Sequence, residues 1–128
     1  MADTLKFTPD HLWLRIEGSH AHVGISEHAQ AELGEIIAAE LPDVGDEVEK
    51  GQSFGELESV KTVNELIAPV TGQVVAINTD LDDHPNIVNE DPYHEGWLIE
   101  VELSDDSELD TLLDADEYDS LISGEEDA

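Results

Sequence analysis

The chain has 128 residues, of which 33 are Asp or Glu and only four are Lys or Arg, so its formal net charge is −29 at pH 7. This charge argues against binding to nucleic acid or to anionic membranes, because both need basic side chains to neutralise phosphate. The absence of cysteine excludes disulfides, thiolate metal sites and a cysteine nucleophile. At this length we expect one domain over residues 1–128, and its last six residues, 123–128, read as an acidic tail.

The N-terminal third begins with the two-residue period of β-strands. LWLRIEG predicts a strand over 12–18 with an apolar face of Leu and Ile, which places Trp13 on the opposite face. AHVGI, over 21–25, completes a hairpin. The next segment, SEHAQAELGE, changes period: Ser26 is a good N-cap and a glycine stops the pattern, which predicts a short helix over 27–33.

The rest of the chain predicts more strands and one closing helix. Strands are expected over 36–41, 53–59, 72–78 and 96–103. The segment 79–96 is rich in Asp, Asn and Pro, which predicts a loop. Leucines at helical spacing predict an amphipathic helix over 107–122. Short strands with frequent turn signals are typical of a small β-sandwich or barrel.

Lys61 is one of the few basic residues and stands between two extended segments, SFGELES and TVNELIAP. One interpretation is a solvated ion pair with nearby glutamates, which would contribute little to stability. The other is a modified lysine, because a tight turn with small or β-branched neighbours presents an amine outward on a rigid base. Acylation would remove the charge of the amine and extend its reach. An arm tethered in this way visits several active sites at high effective concentration.

Seven motifs follow one another along the chain: FTPDHLW (7–13), VGISEHAQAELGEI (23–36), ELPDVGDEV (40–48), GELESVKTV (55–63), PVTGQVVAIN (69–78), NEDPYHEGWLIEVEL (89–103) and LLDADEYDSLI (112–122). Together they resemble the H-protein family of the glycine cleavage system, whose members are lipoyl carriers. The resemblance covers about residues 5–122. It implies a mostly β fold, the barrel-sandwich hybrid of lipoyl domains, with a short internal helix, a C-terminal helix and Lys61 at the top of a β-hairpin.

The resemblance implies a non-catalytic carrier. Lipoate would be amide-linked to Lys61, within an attachment motif that also contains Glu58, Ser59, Val60 and Thr62. The carrier would move an aminomethyl group from glycine decarboxylase (P protein) to the aminomethyltransferase (T protein), and electrons to the dihydrolipoyl dehydrogenase (L protein). A lipoate ligase or a lipoyl/octanoyl transferase would attach the cofactor. Sulfur chemistry would then enter through the cofactor, which accommodates the absence of cysteine.

The resemblance also implies a cleft that shelters the loaded arm, because a buried charged amine requires hydrogen-bond acceptors. By match to the family, this cleft comprises Asp10, Ile25, His28 and Glu65. One position departs from the family: Leu12 stands where a carboxylate is usual, and Asp10 or Glu65 could compensate for it. Purely structural roles are equally open for His28, as a cover for the short helix, and for Ile25, as a core residue.

Other readings of the same segment stay open. Biotin carriers resemble a Met-Lys-Met tip and dehydrogenase lipoyl domains an Asp-Lys-Ala tip, whereas this tip reads Val60-Lys61-Thr62. An H-like protein that stores or relays lipoyl groups is the main alternative function, and an unmodified acidic interaction domain is another.

Two clusters of polar residues resemble metal ligands, but neither has an established spacing. They are the pair His20 and His22, and the Asp and His residues between positions 82 and 94. We therefore predict no metal site.

The N-terminal segment lacks the apolar run of a signal peptide, so we expect a cytoplasmic location in a bacterium or archaeon; the mitochondrial matrix is the second choice.

Overall fold

Short antiparallel strands make up most of the fold. A computed structural model of the protein describes residues 5–104 and 106–126, together with their side chains except those at 106 and 123–126. Within these residues the strands are β1 (Leu5–Phe7), β2 (Leu12–Glu17), β3 (His20–Ile25), β4 (Ile36–Glu40), β5 (Glu47–Val48), β6 (Ser53–Ser59), β7 (Val63–Ile67), β8 (Gly72–Ile77) and β9 (Ile99–Leu103). They form a six-stranded sheet, in the order β1-β2-β3-β9-β8-β5, and a three-stranded sheet, in the order β4-β6-β7.

Three α-helices and two 3₁₀ helices are present among the described residues: α1 (Glu27–Leu33), α2 (Ile87–Glu90), α3 (Ala115–Glu126) and the 3₁₀ segments Thr79–Asp82 and Asp106–Thr111. The predicted helix over 27–33 is confirmed. The Ser26 hydroxyl accepts a hydrogen bond from the N–H of Ala29, and Gly34 ends the helix with a positive φ of 81°. No helix in the described part of the chain is both long and apolar enough to cross a membrane.

One apolar core contains side chains from both sheets, which agrees with the predicted mostly β fold. Its fully buried members include Leu14, Val23, Val74 and Ile99 from the six-stranded sheet, and Ile36, Leu57 and Leu66 from the three-stranded sheet. Burial of each such side chain contributes roughly 1.5–3 kcal/mol. The two sheets therefore hold each other in place, and the hairpin between β6 and β7 has a rigid base.

Trp13 is fully buried, although the alternation of β2 predicted a position on the face away from the core. Its ring lies over Gly24, its partner on β3, where a Cβ atom would come within 2.6 Å of the indole. The indole N–H donates to the carbonyl of Pro92 at 2.8 Å. Trp13 forms a second, aromatic cluster with Phe7 and Tyr118, against which the loop that follows α2 packs. The strand β2 is therefore covered on both faces.

The C-terminal helix begins at Ala115, so the predicted helix over 107–122 is wrong in its first part. Leu113 instead pairs with Phe7, each N–H donating to the other carbonyl at 2.8 Å, and this bridge interrupts the helix. Asp114 and Glu117 then form a reciprocal capping box at the start of α3. The helix continues through 126, into the predicted tail; residues 127–128 of that tail lie outside the described residues.

The segment 79–96, predicted as a loop, contains a 3₁₀ turn and α2. Asn78 organises this segment. Its side-chain oxygen accepts a hydrogen bond from the N–H of Asp80, and its side-chain amide donates to the carbonyls of Glu95 and Trp97 at 2.8 Å.

Tyr93 connects the same segment to α1, because its hydroxyl accepts a hydrogen bond from the N–H of Glu27 at 2.9 Å. Burial raises the pKa of Tyr93, and that hydrogen bond acts in the opposite direction.

The substitution Gly24→Ala should destabilise the fold, because the new methyl group would collide with the buried indole of Trp13. We expect a loss of about 1–3 kcal/mol in the free energy of unfolding, measured by urea denaturation. Gly18→Asn is the control: position 18 has a positive φ of 62° that Asn tolerates, and its Cβ would meet no atom within 4 Å. Equal stability of the two variants would contradict the packing described for Trp13.

Candidate functional site

Lys61 lies in the turn that connects β6 and β7. Glu58 pairs with Val63 as the last register pair of the hairpin, so residues 59–62 form the turn. The N–H of Ser59 donates to the carbonyl of Thr62 at 2.8 Å. The Lys61 side chain is exposed, as the sequence predicted for a lysine that an enzyme modifies.

The hydroxyl of Ser59 fixes this turn from the inside. It accepts hydrogen bonds from the N–H groups of Lys61 and Thr62, both at 3.1 Å. It also lies 3.2 Å from the Thr62 carbonyl, to which it donates. Ser59 is only 4 % exposed, so these bonds are shielded from competing water. The turn is therefore stiff although its outer side chains are in solvent.

The tip of the hairpin is also attached to the segment between α1 and β4. The N–H of Val60 donates to the carbonyl of Glu35 at 3.0 Å. The side chain of Lys61 lies across Gly34, where a Cβ atom would be 3.2 Å from Cε and 3.8 Å from Nζ of the lysine. Gly34 thus serves two purposes, because its positive φ ends α1 and its lack of a side chain leaves room for the lysine stem.

The ion-pair interpretation of Lys61 finds no support in the described residues. None of their carboxylates lies within 4 Å of the lysine Nζ, and within the described part of the chain Lys61 takes part in one hydrogen bond, which its backbone N–H donates to the Ser59 hydroxyl. The amine is left available for chemistry. A primary amine with an exposed end and a stiff backbone fits the attachment of an acyl group such as lipoyl.

Exposed apolar side chains are concentrated near this amine. Among the described residues, four large apolar side chains are exposed, and three of them lie on the hairpin turn or on neighbouring strands: Val60 (62 %), Val63 (54 %) and Ile37 (45 %). Ile37 occupies an irregularity in the pairing of β4 with β6. Exposed apolar groups in one region are typical of a surface that contacts other molecules.

Two of the predicted cleft residues, Ile25 and His28, lie on β3 and α1. Ile25 is 1 % exposed and is the register partner of Leu12 on β2, so both side chains belong to the core. The ring of His28 is 4.9 Å from the ring of His11, and its Nε2 is 3.5 Å from a carboxylate oxygen of Glu32. The burial of Ile25 agrees with its structural role in the core, whereas the position of His28 agrees both with a cover for α1 and with a place beside a cleft.

The other two predicted cleft residues, Asp10 and Glu65, are both exposed. Asp10 borders a cavity of about 200 Å³ that Lys50 and Ile67 also line. Glu65 on β7 stands opposite Glu56, and Glu56 stands opposite Glu40, which makes a row of three carboxylates across the small sheet. No hydrogen bond of the described residues joins Asp10, Ile25 and Glu65 to one another or to Lys61.

Asn89 is a site residue that sequence reasoning missed. Its side-chain amide donates to the Gly34 carbonyl at 2.7 Å and to Gln30 Oε1 at 3.1 Å, and its oxygen accepts the N–H of Ile36 at 2.8 Å. It therefore fixes the backbone on which the lysine stem lies. The residue belongs to the short helix α2, and an Asn within an Asp- and Asn-rich segment carried no signal of this role.

The histidine pair considered for metal binding lies on β3. His20 Nδ1 is 2.8 Å from Glu100 Oε2, and His22 Nε2 is 3.5 Å from Glu100 Oε1, so both pair with the neighbouring strand β9. In the described part of the chain, no three His, Asp or Glu side chains are arranged to hold a metal ion.

Comparison with known proteins identifies the family of the chain. A sequence model described as "Glycine cleavage H-protein" matches residues 5–125. The chain is 52 % identical over 118 residues to the glycine cleavage system H protein of Staphylococcus haemolyticus, covering 92 % of this chain and 94 % of the relative. It is 51 % identical over 125 residues to that of Halalkalibacterium halodurans, covering 98 % of both chains.

A solved structure is similar over nearly its whole length. The crystal structure of a glycine cleavage system H protein from Mycobacterium marinum superposes with a TM-score of 0.85, with 37 % sequence identity, covering 96 % of this chain and 99 % of that one. The predicted barrel-sandwich hybrid with a C-terminal helix is confirmed by this similarity.

The substitution Ser59→Ala should loosen the turn, because two N–H groups would lose their buried acceptor. We expect a loss of about 1–2 kcal/mol in stability and faster amide hydrogen exchange at Lys61 and Thr62, measured by NMR. Ser53→Ala is the matched control, since the Ser53 hydroxyl is exposed and makes a single long bond of 3.4 Å. Unchanged exchange at both amides in Ser59→Ala would refute the role of this hydroxyl.

Proposed function

Because the chain belongs to the glycine cleavage H-protein family and is a lipoyl-carrying shuttle of the glycine cleavage system, we propose that Lys61 is its lipoyl-bearing residue. The observation that supports this assignment is the exposed amine on the stiff turn between β6 and β7. Lipoate would be joined to Nζ through an amide bond, which removes the positive charge of the side chain.

The neighbours of Lys61 divide into those that hold the turn and those that meet an enzyme. Ser59 holds the turn, whereas Glu58, Val60 and Thr62 are exposed around the amine. We expect a lipoate ligase or a lipoyl/octanoyl transferase to contact these exposed side chains. When bound, the lipoyl group supplies a dithiolane that accepts a one-carbon unit and two electrons. The protein contributes the position of the arm and no catalytic residue.

The shuttle visits three enzymes in turn: glycine decarboxylase (P protein), the aminomethyltransferase (T protein) and the dihydrolipoyl dehydrogenase (L protein). Tethering keeps the cargo at high effective concentration near each active site. The exposed side chains of Val60, Val63 and Ile37 give these partners an apolar contact around the arm. Residues 1–128 form one carrier domain in this proposal, and its location is the cytoplasm of a bacterium or archaeon.

Between visits the arm needs protection from water. We retain Asp10, Ile25, His28 and Glu65 as a proposed sheltering cleft. Glu65 is the member closest in sequence to Lys61 and carries the carboxylate that a charged amine needs.

The attachment site is tested by intact mass after coexpression with a lipoate ligase. We expect a lipoyl increment in the wild type and none in Lys61→Arg, because an arginine cannot form the amide. Lys50→Arg is the matched control, since Lys50 is an exposed lysine elsewhere on the surface, and it should keep the increment. An increment that persists in Lys61→Arg would disprove the assignment, and a biotin increment would indicate another class of carrier.

The shuttle role is tested by exchange of glycine carboxylate with bicarbonate in the presence of P protein. Fully lipoylated wild type should support this exchange, and unmodified Lys61→Arg should reduce it by at least about a hundredfold, since covalent tethering supplies the effective concentration. Absence of exchange from fully lipoylated protein would favour a relay or store of lipoyl groups instead.

A further inference from the structure

The hydroxyl of Tyr118, on the C-terminal helix α3, lies where three distant segments of the chain meet. It is 2.6 Å from the hydroxyl of Ser26, the residue before α1, and 2.8 Å from Nδ1 of His11, in the turn before β2. Tyr118 and Ser26 are both buried, so water does not compete for the hydrogen bond between their hydroxyls. This junction lies at the N-terminal end of α1, whereas Lys61 lies at the C-terminal end.

The backbone of His11 adopts an unusual conformation at this junction. Its φ is 70°, in the left-handed region, and among the described residues it is the one residue other than glycine with a positive φ. In this conformation its carbonyl accepts a hydrogen bond from the N–H of Ser26 at 2.9 Å, while its ring reaches Tyr118. A strained backbone persists where the surrounding contacts hold it, so the junction fixes Ser26 firmly.

Ser26 transmits this restraint to α1. The same hydroxyl that contacts Tyr118 accepts a hydrogen bond from the N–H of Ala29, and the carbonyl of Ser26 accepts one from the N–H of Gln30. Helix α1 has seven residues, fewer than the roughly 12–15 that an isolated helix needs in water. Its position and order therefore depend on the groups that bind its two ends.

The C-terminal end of α1 carries the lysine turn. The N–H of Gly34 donates to the carbonyl of Gln30 at 3.0 Å, and the stem of Lys61 lies across Gly34. The N–H of Val60 donates to the carbonyl of Glu35 at 3.0 Å. A helix of this length spans about 10 Å, so the junction and the support of the lysine turn are the two ends of one short rod. Movement at one end changes the other.

Building on the proposed function, we propose that Tyr118 is a positioning residue for the lipoyl-bearing lysine. Its hydroxyl fixes Ser26, Ser26 fixes α1, and α1 fixes the backbone of residues 34–35, to which the turn of Lys61 is attached. Without this hydroxyl the turn samples a wider range of orientations relative to the body of the protein. The alternative, in which Tyr118 only fills the aromatic cluster, requires its ring and not its oxygen.

The substitution Tyr118→Phe tests the hydroxyl alone. It keeps the ring, which stacks on Phe7 with a centroid separation of 4.6 Å and an interplanar angle of 6°. We expect the amides of Gly34 and Val60 to exchange with solvent about fivefold faster than in the wild type, because one buried hydrogen bond is lost. Exchange is followed by NMR on unmodified protein, so this result does not depend on lipoylation.

Two references separate positioning from a general loss of stability. The amides of Lys61 and Thr62 donate to the Ser59 hydroxyl within the turn, so their exchange rates should not change. Val74→Ala is the matched control, since it shortens a buried side chain of β8. Unchanged exchange at residues 34 and 60 in Tyr118→Phe overturns the proposal. Equal acceleration of all four amides, or the same acceleration in Val74→Ala, also overturns it.

A double-mutant cycle tests whether the hydroxyl of Tyr118 acts through Ser26. Ser26→Ala should accelerate exchange at Gly34 more than Tyr118→Phe does, because it also removes the acceptor for the N–H of Ala29. Adding Tyr118→Phe to Ser26→Ala should then change the rate no further. Fully additive effects of the two substitutions would show independent routes and would overturn the proposed connection.

The functional readout is the kinetics of lipoylation by a lipoate ligase. We expect Tyr118→Phe to raise the KM for the carrier about twofold with kcat unchanged, because a smaller fraction of molecules presents the amine of Lys61 in the orientation that binds. Val74→Ala should keep the wild-type KM. Intact mass is measured first: a wild type without a lipoyl increment refutes the proposed function itself, whereas lipoylated proteins with equal KM values refute only the positioning role of Tyr118.

Discussion

One buried hydroxyl, that of Ser59, determines how the amine of Lys61 is presented. It accepts hydrogen bonds from the N–H groups of two successive turn residues, Lys61 and Thr62. Because Ser59 is buried, water cannot compete for these hydrogen bonds. The side chains on the outer side of the same turn are exposed, so rigidity and accessibility coexist within four residues. A longer loop, or one without these hydrogen bonds, would also expose a lysine. Its amine would then sample many positions and would spend less time in an orientation that an enzyme can reach.

The second level of support comes from residues far away in the chain. Asn89 connects α2 to the segment that ends α1 and begins β4, and this segment binds the hairpin through Glu35 and accommodates the lysine stem at Gly34. The lipoyl attachment proposed for Lys61 therefore depends on backbone geometry that is set some 28 residues downstream in sequence.

Local signals were sufficient for much of the fold. Helix α1 was predicted to the residue because Ser26 and Gly34 mark its two ends, and β6 occupies the predicted extended segment 53–59. The start of α3 was not predictable in this way, since it is set by backbone pairing of Leu113 with Phe7, more than a hundred residues earlier. The position of Lys61 could be inferred from the sequence, whereas the hydrogen bonds of Asn89 depend on tertiary contacts that no periodicity records.

The row formed by Glu40, Glu56 and Glu65 has a consequence for the setting in which this carrier works. Like charges directly opposite one another weaken a sheet; Glu56 and Glu65 lie on the two strands of the hairpin that carries Lys61, and Glu40 lies on the neighbouring strand β4. Dissolved cations screen such repulsion over distances of roughly 3 Å at 1 M salt, compared with about 30 Å at 0.01 M. The small sheet is consequently more firmly paired in brine-like surroundings, and dilution weakens the pairing of the three strands nearest Lys61.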